Sequence, residues 1–230
     1  MKTIGMIGGL SWESSLLYYR ILNETVKERM GGAHSARCLM FSFDFAEIEA
    51  LQMADDWEAA TFRMTHAARQ LERGGADGLI ICSNTMHRMA DDVQNAIDIP
   101  LLHIVDATAS AIQATRLTQV GLLGTRFTME HEFFRARLLD RFDIQTRIPE
   151  EPQRSEVHRV IYEELIHGVI REESRAAYVQ TIESLAEQGM QGVILGCTEI
   201  GMLIEQKHSP LPVFDTTRLH AEAAVDWALD

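Results

Sequence analysis

The chain has 230 residues, 46% of them hydrophobic and 24% charged, with a formal net charge of −13. This is the composition of a soluble globular protein, long enough for one domain or two of about 100–115 residues each. The acidic balance argues against nucleic acid, which calls for a basic face, and no apolar run reaches the ~18 residues of a membrane-spanning helix.

Cys38, Cys82 and Cys197 are too few and too scattered for a disulfide framework or a zinc site. Neither His-x-x-x-His nor Cys-x-x-Cys occurs, so no metal is expected. The N-terminus runs straight into a strand pattern without a cleavable leader, which points to the cytoplasm.

In chain order, Lys2 to Ile7 reads as a strand and Gly8-Gly9 as a tight loop. Ser11 or Ser14 caps a helix that carries Tyr18, Leu22 and Val26 on one face and ends at Gly31-Gly32. Arg37 to Phe43 is a second strand, and Asp44 to Gln52 a loop or short helix. A helix from about Asp55, with Met64, Ala68 and Leu71 on its apolar face, stops at Gly74-Gly75. Gly78 to Cys82 is the third strand, Ser83-Asn84-Thr85 its loop, and a helix follows to about Ile97. Leu101 to Ile104 reads as a fourth strand, with Asp106 or Thr108 capping the next helix.

Gln119 to Gly124 is a strand, Thr125 opens its loop, and Thr128 caps a helix to about Phe142. Ile144 to Ile148 is a strand, followed by a surface loop, a polar helix from Gln153 to His167, and a helix from Glu172 to Gln188 with Val179, Ile182 and Leu185 on one face. The Gly192 to Cys197 strand, a short helix near Ile200, a strand at Val213-Phe214 and a terminal helix from Thr216 or Thr217 complete the chain. Alternating strands and helices imply α/β architecture with mostly parallel sheets.

Two stretches repeat. At an offset of 114, Gly75, Gly78, Ser83 and Asn84 superpose on Gly189, Gly192, Cys197 and Thr198; at 116, Ile4–Gly9 echoes Val120–Thr125. Nearly equal offsets of half the chain predict two pseudo-symmetric α/β halves. The first is 1–104 with the C-terminal helix, about 216–230; the second is 105–215. Their strand-end loops are expected to face one another across a cleft, since α/β proteins bind ligands outside the carboxyl ends of parallel strands.

Cys197 is the leading catalytic candidate. It falls where a buried strand ends, and loop N–H groups there are expected to lower its pKa from about 8.5. Ser83 holds the matching place in the first half, but an alcohol is a far weaker acid. Cys82 is one residue too early and should point into the core. Asn84, Thr85, Thr125 and Thr198 offer neutral donors for carboxylates, and His87 is either a tuning group or a surface histidine. Arg126 and Lys207 lie near these motifs in sequence. The glycines at 5, 8 and 9 miss the dinucleotide spacing, and no Gly-Lys-Ser/Thr occurs, so NAD and ATP are discounted.

Taken together, Ile-Gly-Met-Ile-Gly-Gly-Leu-Ser-Trp-Glu-Ser (4–14), Ser-Asn-Thr-Met-His (83–87), Leu-Leu-Gly-Thr (122–125) and Gly-Cys-Thr-Glu (196–199) resemble the aspartate/glutamate racemase family over essentially the whole chain. The resemblance implies a cofactor-independent amino-acid racemase, without pyridoxal phosphate or metal, usually a homodimer, with a small amino acid as its partner. Two cysteines would exchange the α-proton from opposite faces. Cys197 matches the one that works on the L-enantiomer, whereas the other falls on Ser83, which is the main departure. Asn84, Thr85, Thr125 and Thr198 would hold carboxylates, Gln52 would read the side chain, and Leu10 would touch ligand through its loop. Alternatives are a single-cysteine decarboxylase-like or other isomerase relative, and a non-catalytic homologue that binds acidic ligands.

Overall fold

The computed structural model describes residues 1–230. The chain divides into two compact units, Met1–Ile104 with His220–Asp230, and Val105–Leu219. No helix is long and apolar enough to cross a membrane.

The first unit opens with β1 (Ile4–Gly8), α1 (Trp12–Met30), β2 (Cys38–Ser42), α2 (Phe45–Met53), α3 (Trp57–Arg73), β3 (Gly78–Ile81) and α4 (Ala90–Asn95). Its sheet has the order β2-β1-β3, all parallel. Alternation along the strands sends Ile4, Met6, Ile80 and Cys82 to one face, where Tyr18, Leu22 and Val26 of α1 cover them. Ile7, Leu79 and Ile81 face the other way, onto Met64, Ala68 and Leu71 of α3. Both helix faces are those that periodicity predicts, and Cys82 is fully buried in the core.

The second unit comprises α5 (Ile104–Ala114), β4 (Gln119–Gly124), α6 (Arg126–Glu130), α7 (Glu132–Phe142), β5 (Gln145–Arg147), α8 (Gln153–Glu163), α9 (Glu172–Glu187), β6 (Gly192–Gly196), α10 (Ile200–Leu203) and β7 (Val213–Asp215). Its sheet has the parallel order β5-β4-β6-β7. The last helix, α11 (Thr216–Leu229), returns Ala221, Ala224, Val225 and Ala228 to the core of the first unit.

The α/β expectation with mostly parallel sheets holds, and the internal repeat extends to strand order. β2-β1-β3 and β5-β4-β6 share one topology. Even the fourth strand has a counterpart: Leu79 pairs with Leu101 in a single parallel bridge, as Val193 pairs with Val213.

Three local expectations are corrected. Leu101 to Ile104 is not a strand, because Pro100 has no N–H to give and α5 begins at Ile104, whose own N–H is taken by His87 Nε2 at 3.2 Å. The helix at 126–142 breaks at His131 into α6 and α7, and its cap is Thr125, whose side chain accepts from the Thr128 N–H. The helix after Gln153 leaves α geometry at Glu164, continues as a 3₁₀ turn over 165–167, and buries Val157, Val160 and Ile161. On α9, Val179, Ile182 and Leu185 pack on one core cluster as expected, and fully buried Tyr178 joins them.

Candidate functional site

In the second unit, register fixes which residues leave the sheet together. Gly124 pairs with Gly196 and Leu195 with Asp215, so Thr125, Cys197 and Thr216 emerge side by side at the carboxyl end. The strands approach closely there, since a Cβ on Gly124 would meet the Gly196 carbonyl oxygen at 2.8 Å. The Thr216 hydroxyl donates to the Leu195 carbonyl at 2.8 Å, tying the end of β7 to β6.

Cys197 is 8% exposed and packs against the core of this unit. Its thiol donates to Glu199 Oε2 at 3.0 Å, and the Thr198 hydroxyl donates to the same oxygen at 2.6 Å. The expectation of a depressed thiol pKa is therefore reversed. Burial, then the charge of Glu199, then its hydrogen bond push the Cys197 thiol well above its ordinary range, against the opposing pull of the Glu199 and Thr198 N–H groups. Beside them, the Thr125 hydroxyl lies 3.2 Å from that of Thr128.

In the first unit, Ser83 follows β3, and Asn84 and Thr85 open a 3₁₀ turn over 85–89. Ser83 is half-buried, whereas Asn84 and Thr85 are buried. The backbone on either side is pinned. Ser14 of α1 donates to the Cys82 carbonyl at 3.0 Å, and His87 Nδ1 meets the Ser83 carbonyl at 2.7 Å. Because His87 Nε2 accepts from the Ile104 N–H, the hydrogen on this ring belongs on Nδ1, and the imidazole is neutral. His87 is 2% exposed, so the surface reading of this histidine is corrected. It lies in a buried aromatic group, with ring centres 4.7 Å from His103 and 5.5 Å from His220. His220 in turn pairs with the Tyr18 hydroxyl at 2.8 Å and with the Leu102 carbonyl at 2.8 Å.

Gln52, on α2 after β2, is buried, and its amide reaches Met86 Sδ at 3.2 Å, which sets it against the Ser83 turn. Leu10, in the loop after β1, packs in the same cluster as Ile48 and Met86. Within the first unit, Leu10, Gln52, Ser83, Asn84 and Thr85 gather at the carboxyl end of its sheet; within the second, Thr125, Cys197 and Thr198 gather at the carboxyl end of its own. Arg126 stands over the Phe127 ring and Lys207 pairs with Glu205, both exposed. No group of three or more His, Cys, Asp or Glu could hold a metal ion. Glu199 and His220 had no assigned role in the sequence pattern, and Ser14, one of two candidate caps there, serves the Cys82 carbonyl while Ser11 caps α1. For Glu199 the available signal was an acid two residues beyond a strand-end cysteine.

A thiol at the end of a central parallel strand, on a doubled α/β framework, defines a protein equipped for small-molecule chemistry at its strand ends. Comparison narrows the class. The family model for Asp/Glu/hydantoin racemase matches residues 7–224, and the chain belongs to this family. The crystal structure of a proposed Asp/Glu racemase from Yersinia pestis has 49% identity and a TM-score of 0.93, with 100% of each chain covered. That of an aspartate racemase homologue from Pyrococcus horikoshii has 32% identity and a TM-score of 0.87, again over 100% of both chains. A glutamate racemase from Pseudomonas entomophila is 32% identical over 160 residues, 67% of this chain and 58% of that enzyme.

Proposed function

We propose that the protein interconverts L- and D-aspartate or glutamate without pyridoxal phosphate or metal, Cys197 taking the α-proton of the L-enantiomer and Ser83 serving the opposite face. The observation that carries this reading is the Cys197 thiol at the end of β6, hydrogen-bonded to Glu199 and flanked by Thr198. Asn84, Thr85, Thr125 and Thr198 supply neutral donors for the substrate carboxylates, and Gln52 and Leu10 shape the side-chain end. Proton transfer at Cα by two groups requires one on each face of the same carbon. The repeat supports this assignment, since Ser83 and Cys197 are equivalent positions of the two halves. The homodimer and the cytoplasmic location implied by the resemblance belong to the same reading, as does the absence of any nucleic-acid partner.

The test is incubation with L- and D-aspartate and L- and D-glutamate in D₂O, following loss of the α-proton signal by NMR and inversion by chiral chromatography. Exchange with inversion, abolished by Cys197→Ala, is the expected result. No exchange from any of the four sinks the acidic amino-acid assignment. Ser83 in place of a second thiol favours one other reading, a single-thiol enzyme that protonates a carbanion from one face. Loss of carbon dioxide from a malonate, with no inversion of amino acids, would establish it.

A further inference from the structure

We propose that Glu199 is the seat of the substrate ammonium group, and that pairing with this cation readies Cys197 to take the α-proton. The inference rests on the racemase reading of Cys197. Glu199 is only 4% exposed, yet it enters none of the chain's ion pairs. Its Oε2 accepts the Cys197 thiol and the Thr198 hydroxyl, while Oε1 receives no donor from the protein. A carboxylate removed from water is stabilised by a cation or by several donors. Glu164, equally buried in the same unit, has both: Arg159 at 3.1 Å and the Ser174 hydroxyl at 2.6 Å. Glu199 has two donors on Oε2 and no cation, and its Oε1 is not sealed from solvent.

Every α-amino acid brings an α-ammonium cation, and it is bonded to the carbon whose proton the thiol must remove. A carboxylate hydrogen-bonded to the thiol is therefore the place where that ammonium is best received. Its arrival has a second effect. In the structure, burial and the charge of Glu199 hold the thiol protonated. An ammonium beside Glu199 offsets that charge and makes release of the thiol proton to water easier, with burial left as the cause that still opposes it. The thiolate then takes the α-proton from Cα and is S–H again. A 2-hydroxy acid of the same shape brings no cation and leaves Cys197 protonated.

Calorimetric binding of L-aspartate against L-malate, and of L-alanine against L-lactate, tests this on the intact protein, Glu199→Gln and Glu199→Asp. The expected result is an amino-acid preference in the intact protein that falls by about tenfold in Glu199→Gln, the scale of one charge-assisted contact. Hydroxy-acid binding should be unchanged, and Glu199→Asp should retain part of the preference. The ultraviolet absorbance of the thiolate, read against Cys197→Ala, should titrate at lower pH in Glu199→Gln. Equal weakening of both ligand classes, an unchanged preference, or an intact protein that binds no amino acid overturns the proposal. Exchange in D₂O separates it from the reading beneath. Glu199-dependent preference without α-proton exchange sinks the racemase and leaves the ammonium site, whereas Cys197-dependent exchange with an unaltered KM in Glu199→Gln does the reverse.

Discussion

Ser83 sets the kinetic character of the proposed reaction. A serine hydroxyl gives up a proton far less readily than a thiol, so the two directions differ in their slow steps. The equilibrium constant for racemisation is unity, and kcat/KM must match in both directions. Any asymmetry then appears in kcat and KM separately. Ser83→Cys is expected to raise kcat from the D side by about tenfold or more; initial rates from each enantiomer measure it, and an unchanged D-side kcat would mean that the serine is not limiting. The buried pair behind it is tested by Tyr18→Phe. That change leaves His220 Nδ1 without its phenolic donor, so a loss of about 1–2 kcal/mol in urea unfolding is expected. Stability within a few tenths of the parent would place the histidine's partner elsewhere. The strand-end residues were legible because their types and spacing repeat. The pairing of Glu199 with the thiol was not, because a hydrogen bond between residues 197 and 199 depends on how the chain turns after β6.

Among the elements, the loop after β1 is tightly constrained at Gly9. Gly9 sits at φ 69°, and a Cβ there would collide with the backbone N and O of Phe43. Gly9→Ala should lower stability by about 2–4 kcal/mol through left-handed strain and displacement of the 43–44 segment, with equilibrium unfolding as the check; an unchanged midpoint would show that the two segments part without penalty. Strands and their order followed from apolar runs and repeat offsets, and the faces of α1 and α3 from 3.6-residue periodicity. Errors concentrated where tertiary contacts overrode local pattern. At Leu101 the pattern is that of a strand, but Pro100 and the His87 contact to Ile104 convert the segment to a bridge and a helix start. At Glu164 the turn out of α8 is fixed by Arg159 and Ser174, and Ser174 lies on a different helix.

At the scale of the molecule, two fully or nearly buried thiols link stability to pH. Burial, with a smaller push from Cys38, raises Cys82, and Cys197 is raised as described. Unfolding releases both to ionise at about pH 8.5. The folded state keeps its protons above that pH while the unfolded state loses them, so stability is unaffected below it and falls as pH rises. The expected slope is about 1.4 kcal/mol per pH unit for each thiol. Urea midpoints at pH 8 and pH 10 should show the fall, and Cys82→Ala should remove about half of it. A flat profile would mean that both thiols ionise in place.

The first unit is stitched from both ends of the chain, whereas the second is one continuous run. A ribosome therefore delivers the pieces out of order. Residues 105–219 are all available for their own core before Ala221, Ala224, Val225 and Ala228 emerge to cover Ile4, Met6 and Ile80. Until then that face of the first sheet is covered by α1 alone, and β1 waits for α11 to complete its core. Nascent chains arrested after residue 219 should bind a hydrophobic dye or a holdase chaperone through the first unit and yield to protease there, while the second unit resists. Emergence of His220–Asp230 should complete the first unit in a single late step.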